Sequence, residues 1–355
     1  MRVAYTLEQC WHRLPGGTAT AALHVAEAIG QHDAGVELIG VAARHRQPPD
    51  AAYRPPIKVH HLAVPRPLLY ESWLRLGRPL VERAVGRVDV CHSTTIIPAA
   101  SAAPAVVTIH DLAFLHRPEH FTKRGNDVFR RGLAAIRRRA DLVLCSSQAT
   151  MDDCFAAGID AERLRHVPLG VAAAPASADD IKGVRQRYAL ADRFALFVGT
   201  VEPRKNLPRL IQAIAAMPEP IPLVVVGASG WGDAVGDPGP TRFLGFVPRA
   251  DLAALYAAAS VFCYPSLLEG FGLPVLEAMV QGTPVVTTKG TSTEEVAGGN
   301  AVLVDATDVR SISAGIEAAL DDAVNLAERG RAWAMSRTWT LTAELTVAAY
   351  REVCG

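Results

Sequence analysis

The chain alternates short, continuous apolar runs with longer stretches in which apolar residues recur at helical spacing. Val3 to Leu7, Val36 to Ala42, Val59 to Val64, Val88 to His92, Ala105 to Ile109 and Leu142 to Cys145 form a first set of strand-like runs. Phe194 to Val198, Leu223 to Val226, Phe243 to Leu244, Val261 to Tyr264, Val285 to Thr287 and Ala301 to Val304 form a second. Runs without polar alternation suit strands buried on both faces, and the helical patterns between them supply the cover. The pattern therefore predicts an α/β chain with two doubly wound parallel sheets. At 355 residues the chain is beyond the size at which one core keeps growing, which agrees with two domains. Pro168 to Ser177, poor in charge and rich in small residues, reads as the linker, giving domains over residues 1–172 and 173–337.

Two loops of the second set concentrate charge. Gly199-Thr-Val-Glu-Pro-Arg-Lys-Asn206 follows one strand, and helical spacing begins at Leu207, continuing through Leu210, Ile211 and Ile214. Ligands of open α/β sheets sit at such carboxyl ends, where a helix N-terminus already favours anions. Arg204 and Lys205 strengthen that field, and only five of the 36 basic residues are lysines. Glu269-Gly-Phe-Gly-Leu-Pro-Val-Leu-Glu277 follows another strand. Eight helical residues rise about 12 Å, so Glu269 and Glu277 would serve different parts of one extended ligand. Pro274 suits a first helical turn, leaving the N–H groups of Phe271, Gly272 and Leu273 at its mouth. Taken singly, each charge also fits a solvated helix start. Together, cations for phosphates and carboxylates for hydroxyls describe a site for a diphosphate-linked sugar.

In the first domain, Gly16 and Gly17 precede a helix with Ala22, Leu23, Ala26 and Ile29 on one face. Glycines there let backbone approach a phosphate. The dinucleotide fingerprint G-x-G-x-x-G is absent and Ala42-Ala43-Arg44 offers no acid for a ribose, which disfavours a nicotinamide enzyme. The loop from Glu8 to Leu14, with Trp11 and His12, suits an acceptor-binding lip or is merely an exposed loop. His110 ends the strand Ala105 to Ile109, a position that favours a functional over a structural histidine. On a helix from Lys123 to Ala140, Lys123, Arg124, Arg130, Arg131, Arg137 and Arg138 fall within roughly one third of the circumference, opposite Phe129, Leu133, Ile136 and Ala140. That stripe reads either as a solvated face or as a peripheral contact with anionic lipid.

These motifs resemble the retaining family 4 glycosyltransferases, which have two facing Rossmann-like domains (the GT-B fold) and include sucrose synthases and many bacterial mannosyl- and glucosyltransferases. The resemblance rests on Glu269-x7-Glu277 with Gly-Phe-Gly-Leu-Pro inside it and on Arg204-Lys205-Asn206 after a strand. Gly16-Gly17, Thr108-Ile-His110-Asp111 and Gly282-Thr-Pro-Val285 stand in the expected order. Val280-Gln281 departs from the family pattern, with a consequence expected in packing. The resemblance implies a cleft between the domains, a final helix over residues 338–355 that returns to the first domain, and a hexose moved from a nucleoside diphosphate sugar to a hydroxyl acceptor. It further implies that His110 contacts the donor sugar and that attack comes from the leaving-group face. The segment Glu202 to Asn206 resembles that of bacterial mannosyltransferases, which points to GDP-mannose and to a glycan or lipid-linked glycan as acceptor.

On this reading Arg204 and Lys205 face the leaving diphosphate, and Glu269 with the Phe271, Gly272 and Leu273 amides holds the sugar. Glu277 accepts from the ribose, and Gly199, Phe246 and Val247 complete the donor site, with backbone of Gly245-Phe246-Val247 reading the base. No D-x-D occurs, so the two cations take the place of a metal ion and no cofactor is expected beyond the donor itself. The 36 acidic residues cancel the 36 basic ones, which gives nucleic acid no purchase. Met1 to Thr6 reads as a strand and no apolar run approaches a membrane span, so a cytoplasmic enzyme is expected, at most peripheral on a membrane. The six cysteines lack C-x-x-C spacing and read as structural thiols. Two other functions fit the same motifs: a sugar-phosphate synthase with a small soluble acceptor, and a non-catalytic nucleotide-sugar-binding protein.

Overall fold

The computed structural model describes residues 1–12, 15–32, 35–172, 174–228 and 240–355. Arg13 and Leu14 of the first-domain loop, and Ala173 of the expected linker, lie outside the described residues. The chain divides into two compact units, Met1–Gly170 with Trp339–Gly355, and Val171–Thr338.

The first unit holds strands β1 (Arg2–Thr6), β2 (Glu37–Ala42), β3 (Val59–His61), β4 (Val90–Ser93), β5 (Ala105–Ile109), β6 (Leu142–Cys145) and β7 (Leu164–His166) in a parallel seven-stranded sheet of order β3-β2-β1-β4-β5-β6-β7. The apolar runs anticipate all but β7, whose three residues, Leu-Arg-His, are too short and too polar to stand out. Val90, Val106, Val107 and Ile109 are fully buried, each such side chain contributing about 1.5–3 kcal/mol relative to exposure. The last helix, Trp339–Cys354, belongs to this unit, and its Ala343, Val347 and Tyr350 share a core with Tyr5, Ala22, Ala26 and Ile29. The Tyr350 hydroxyl also bonds His92 Nδ1 at 2.6 Å, so the helix is fastened by a polar contact inside an apolar face.

The second unit holds β8 (Ala195–Val198), β9 (Leu223–Val226), β10 (Thr241–Gly245), β11 (Val261–Tyr264), β12 (Val285–Thr288) and β13 (Val302–Val304). Its six-stranded sheet is also parallel, with order β10-β9-β8-β11-β12-β13. Val280 and Gln281, where the sequence departs from the family pattern, are both buried. Gln281 donates from Nε2 to the Ala174 carbonyl at 3.1 Å and accepts from the Ala176 amide at 2.9 Å, so it pins the segment that enters this unit. Five cysteines are buried and Cys354 is exposed, all as free thiols. Among the described residues no helix is long and apolar enough to cross a membrane.

Candidate active site

The strand order of the second sheet reverses between β8 and β11, which are hydrogen-bonded neighbours. A crevice opens at the carboxyl ends of strands at such a switch point. The loop of Arg204 and Lys205 follows β8 and the loop of Glu269 follows β11, so topology brings together residues some 65 positions apart. Lys205 Nζ lies 2.6 Å from Glu269 Oε1, and Arg204 Nη1 lies 2.7 Å from Glu269 Oε2. Arg204 Nε reaches Glu202 Oε1 at 2.6 Å and Nη1 donates to the Leu268 carbonyl at 3.2 Å. Lys205 Nζ also donates to the Tyr264 hydroxyl and stands 4.7 Å from the centre of that ring. Two cations thus share a cluster with two carboxylates whose side chains are each only 7% exposed.

Burial opposes each of these charges, and the neighbours decide the outcome. For Glu269, burial raises the carboxyl pKa, but the Lys205 and Arg204 charges together outweigh it and hold the group at about 2. Burial pulls the Lys205 ammonium down; Glu269 resists this and Arg204 adds to it, so the net direction is downward. The backbone between the cations and the helix Leu207–Ala215 turns at Asn206, which has φ of +61°. Its buried amide spans two loops, donating to the carbonyls of Pro265 at 3.0 Å and Ala306 at 2.6 Å. That locks the β8 loop onto the β11 loop.

Gly199 follows β8 directly. Gly227, after β9, lies so close that a Cβ there would meet the Gly199 carbonyl at 2.0 Å, with φ of +144° besides. The helix Leu273–Val280 begins after Gly272, at φ +108°, where a Cβ would fall 2.7 Å from Thr293 Cγ2. Pro274 occupies its first turn. Among the described residues none of the amides of Phe271, Gly272 and Leu273 donates a hydrogen bond, as expected of an anion- or hydroxyl-binding helix mouth.

Glu277 does not join the cation cluster. It accepts from the Tyr256 hydroxyl at 3.0 Å, and burial pushes its pKa up against the lowering effects of Tyr256 and Arg249. On the other side of the sheet β10 ends in Gly245, at φ +67°; Phe246 is 75% exposed and Val247 is buried. The Gly245 carbonyl accepts from the Gly227 amide at 2.9 Å. His110 and Gly16–Gly17 belong to the first unit. His110 follows β5; its carbonyl accepts from Thr150 Oγ1 at 3.1 Å, and burial lowers its imidazole pKa against the raising effect of Asp111. Gly16, at φ +63°, opens the helix Gly16–Gln31, and among the described residues a Cβ on Gly16 or Gly17 would meet nothing within 4 Å.

The basic helix, Lys123–Arg139, corrects one expectation. Arg131 does not face outward: it grips Glu71 through both guanidinium nitrogens at 2.8 and 2.7 Å. Arg137 Nε donates to the Gly158 carbonyl at 3.1 Å. Lys123, Arg124, Arg130, Arg137 and Arg138 are exposed. Glu202, Tyr256, Tyr264 and Gly227 were not singled out from the sequence. The only signal for Tyr264 was a hydroxyl at the end of an apolar run, and for Gly227 a glycine directly after one.

Two parallel α/β units with charged loops at a switch point are the architecture found in glycosyltransferases, and comparison with known proteins agrees. The family described as Glycosyltransferase Family 4 matches residues 15–174, and that described as Glycosyl transferases group 1 matches residues 184–333. The O-antigen chain mannosyltransferase B of Escherichia coli is 36% identical over 266 residues, 70% of each chain. Two solved structures share the fold over 99% of this chain. They are Anabaena HepE in complex with UDP-glucose (22% identity, TM-score 0.76, 99% of that chain) and the sucrose-phosphate synthase of Thermosynechococcus elongatus (20% identity, TM-score 0.78, 98% of that chain). The chain belongs to glycosyltransferase family 4 and has the GT-B fold.

Proposed function

We propose that the protein is a retaining, metal-independent hexosyltransferase that moves mannose from GDP-mannose to a hydroxyl of a glycan or lipid-linked glycan. The observation that carries this reading is the convergence of Arg204, Lys205 and Glu269 at the β8–β11 switch point. The leaving diphosphate gains negative charge as the sugar departs, and fixed donors aimed at that charge lower the barrier. Arg204 and Lys205 are those donors, in the place a metal ion would take. Glu269 holds both cations with its two oxygens and faces the position of the sugar. The mouth of the Leu273–Val280 helix offers further N–H donors, and Glu277, fixed by Tyr256, meets the ribose. No protein nucleophile is assigned. A diphosphate oxygen takes the acceptor's proton as the acceptor attacks from the same face, which keeps the anomeric configuration.

Mannose is favoured by the mannosyltransferase relatives, including the serotype-specific mannosyltransferase WbdA of Escherichia coli, 30% identical over 285 residues spanning 72% of this chain and 34% of that protein. UDP-glucose, bound in the HepE structure, is the informative competitor. A bound ligand raises stability by RT ln(1 + [L]/Kd), so a thermal-shift panel of nucleoside diphosphate sugars ranks the donors directly. GDP-mannose is expected to give the largest shift, and NMR of the product is expected to show the donor's anomeric configuration. A panel with no shift for any nucleotide sugar would refute the function, and an inverted product would refute the retaining step.

A further inference from the structure

Strand β12 and the turn after it include a hydroxyl-rich run, Thr287-Thr-Lys-Gly-Thr-Ser-Thr293, that the mechanism above leaves without a task. Thr287, Thr288, Ser292 and Thr293 are all buried, where a hydroxyl needs a partner. Three of them donate to carbonyls of one neighbouring segment, which runs from the end of β11 to Glu269. Thr287 Oγ1 reaches the Tyr264 carbonyl at 3.1 Å, Thr288 Oγ1 the Ser266 carbonyl at 2.7 Å, and Ser292 Oγ the Glu269 carbonyl at 2.7 Å. Thr293 acts by contact instead. Its Cγ2 methyl occupies the space in which a Cβ on Gly272 would stand, and its Oγ1 lies 2.8 Å from the hydroxyl oxygens of both Thr287 and Thr291.

Strand order explains the match. β11 and β12 are adjacent and parallel, with Tyr264 paired to Thr287, so the chain leaving one strand runs beside the chain leaving the other. Hydroxyls on the second chain therefore meet carbonyls on the first. From the β8 loop, Asn206 takes the Pro265 carbonyl at 3.0 Å, so the segment is held on both flanks. A buried polar network with its partners in place fixes one conformation. Hydrogen bonds weaken quickly as their geometry departs from the optimum, and Glu269, at the end of this segment, keeps two of them at once, to Arg204 and Lys205.

We propose that Ser292 and Thr293 are positioning residues for the sugar end of the donor site. Ser292 sets the main chain of Glu269, and Thr293 sets that of Gly272 at the mouth of the helix Leu273–Val280. The proposal rests on the glycosyltransferase reading above and divides its donor site in two. Among the described residues the hydroxyl row bonds the segment that holds the sugar and makes no hydrogen bond to Gly245, Phe246 or Val247, which are assigned to the base. Loosening the row therefore misplaces the groups around the sugar and leaves those around the base in place.

Calorimetric titration of the full chain with GDP-mannose and GDP, and with UDP-glucose and UDP, reads the two ends of the site separately. Ser292→Ala is expected to raise the Kd of the nucleotide sugar that binds about tenfold, the equivalent of one good contact, while the Kd of its nucleoside diphosphate changes less than about twofold. Thr293→Ser keeps the hydroxyl and removes only the methyl against Gly272; it is expected to move the ratio of the two constants in the same direction by about threefold. Melting temperature checks that each variant folds, and if Ser292→Ala does not, Thr293→Ser decides alone. A loss shared equally by nucleotide sugar and diphosphate, which a general loosening of the fold would give, overturns the proposal, as do variants with wild-type constants. Wild-type protein that binds neither nucleotide sugar removes the glycosyltransferase reading and this proposal with it. Binding by the wild type with no change of ratio in the variants removes the proposal alone.

Discussion

Lys205→Ala isolates the charge on which the proposed mechanism depends. In the wild type, Arg204 and Lys205 balance Glu202 and Glu269 within one cluster. Removing Lys205 leaves one cation against two buried carboxylates, so the departing diphosphate meets a cluster of net negative charge. Losing one donor aimed at a developing anion costs about 2–4 kcal/mol, which lowers kcat by roughly 30- to 1000-fold. A nucleoside monophosphate carries no leaving diphosphate, so its binding is expected to weaken far less than kcat falls. The fold loses something as well, because Glu269 keeps Arg204 but loses both the 2.6 Å bond and the larger share of the charge that holds it ionised. Adding Glu269→Gln to Lys205→Ala returns the cluster to neutrality. The double variant should recover melting temperature without recovering kcat. Steady-state kinetics, monophosphate titration and thermal melts on the three proteins separate these effects. A kcat within about twofold of wild type in folded Lys205→Ala would remove Lys205 from the mechanism.

Activity in excess EDTA is expected to equal that in buffer, since the cations stand where a metal ion would; a loss restored by magnesium or manganese would refute this. The depressed Glu269 carboxyl, raised by burial but lowered further by Lys205 and Arg204, contributes stability that is fully present above its ordinary pKa near 4.5 and is lost as pH falls toward about 2. The stability gap between wild type and Glu269→Gln should therefore shrink across that window in chemical denaturation, and a gap independent of pH would refute the assignment. Gly227→Ala is expected to lower stability by several kcal/mol, because its methyl collides with the Gly199 backbone and the site has little room to relax; a melting temperature like that of wild type would show that the loops can part. If the exposed Lys123, Arg124, Arg130 and Arg138 meet anionic lipid, changing them to Ser should abolish cosedimentation with anionic liposomes at about 0.15 M salt, where the screening length is about 8 Å. Wild-type protein that ignores such liposomes at low salt would leave the stripe as a solvated face.

The strands and both charged loops were legible because strands buried on two faces must be apolar throughout, and a break into charge then marks the loop. Periodicity carries no information on what lies beside what. Arg204 and Glu269 meet because β11 returns to the flank of β8 after β9 and β10 have built outward on the other side, a fact of strand order alone. Tyr264 was read as the end of a strand; its hydroxyl matters only because Lys205 reaches it. The basic helix shows the same limit from the opposite direction. Helical spacing placed Arg131 with five other cations, but its partner Glu71 lies 60 residues away on another helix, and Arg137 answers a carbonyl from a later loop. Surface charge can be counted from a sequence, whereas its availability depends on long-range packing.

The cation cluster also bears on how a donor enters. A lysine as buried as Lys205, left alone, would shed its proton, and an unpaired buried carboxylate would take one up. Glu269 opposes the loss of the Lys205 proton, against burial and Arg204, while Lys205 and Arg204 hold Glu269 ionised. On the proposed mechanism an incoming diphosphate is therefore exchanged for Glu269 as a partner and not simply added to free charge. Much of the attraction is already satisfied within the protein, which limits tight binding of the ground state. As the sugar departs, the diphosphate gains charge and Glu269 does not, so the balance of the exchange moves toward the phosphate at the transition state. Stabilisation that grows along the reaction raises kcat, whereas stabilisation equal at every stage lowers only KM. On the proposed mechanism Glu269 serves catalysis by competing for the same cations, and its two short bonds to Arg204 and Lys205 are the contacts that the developing leaving group would share.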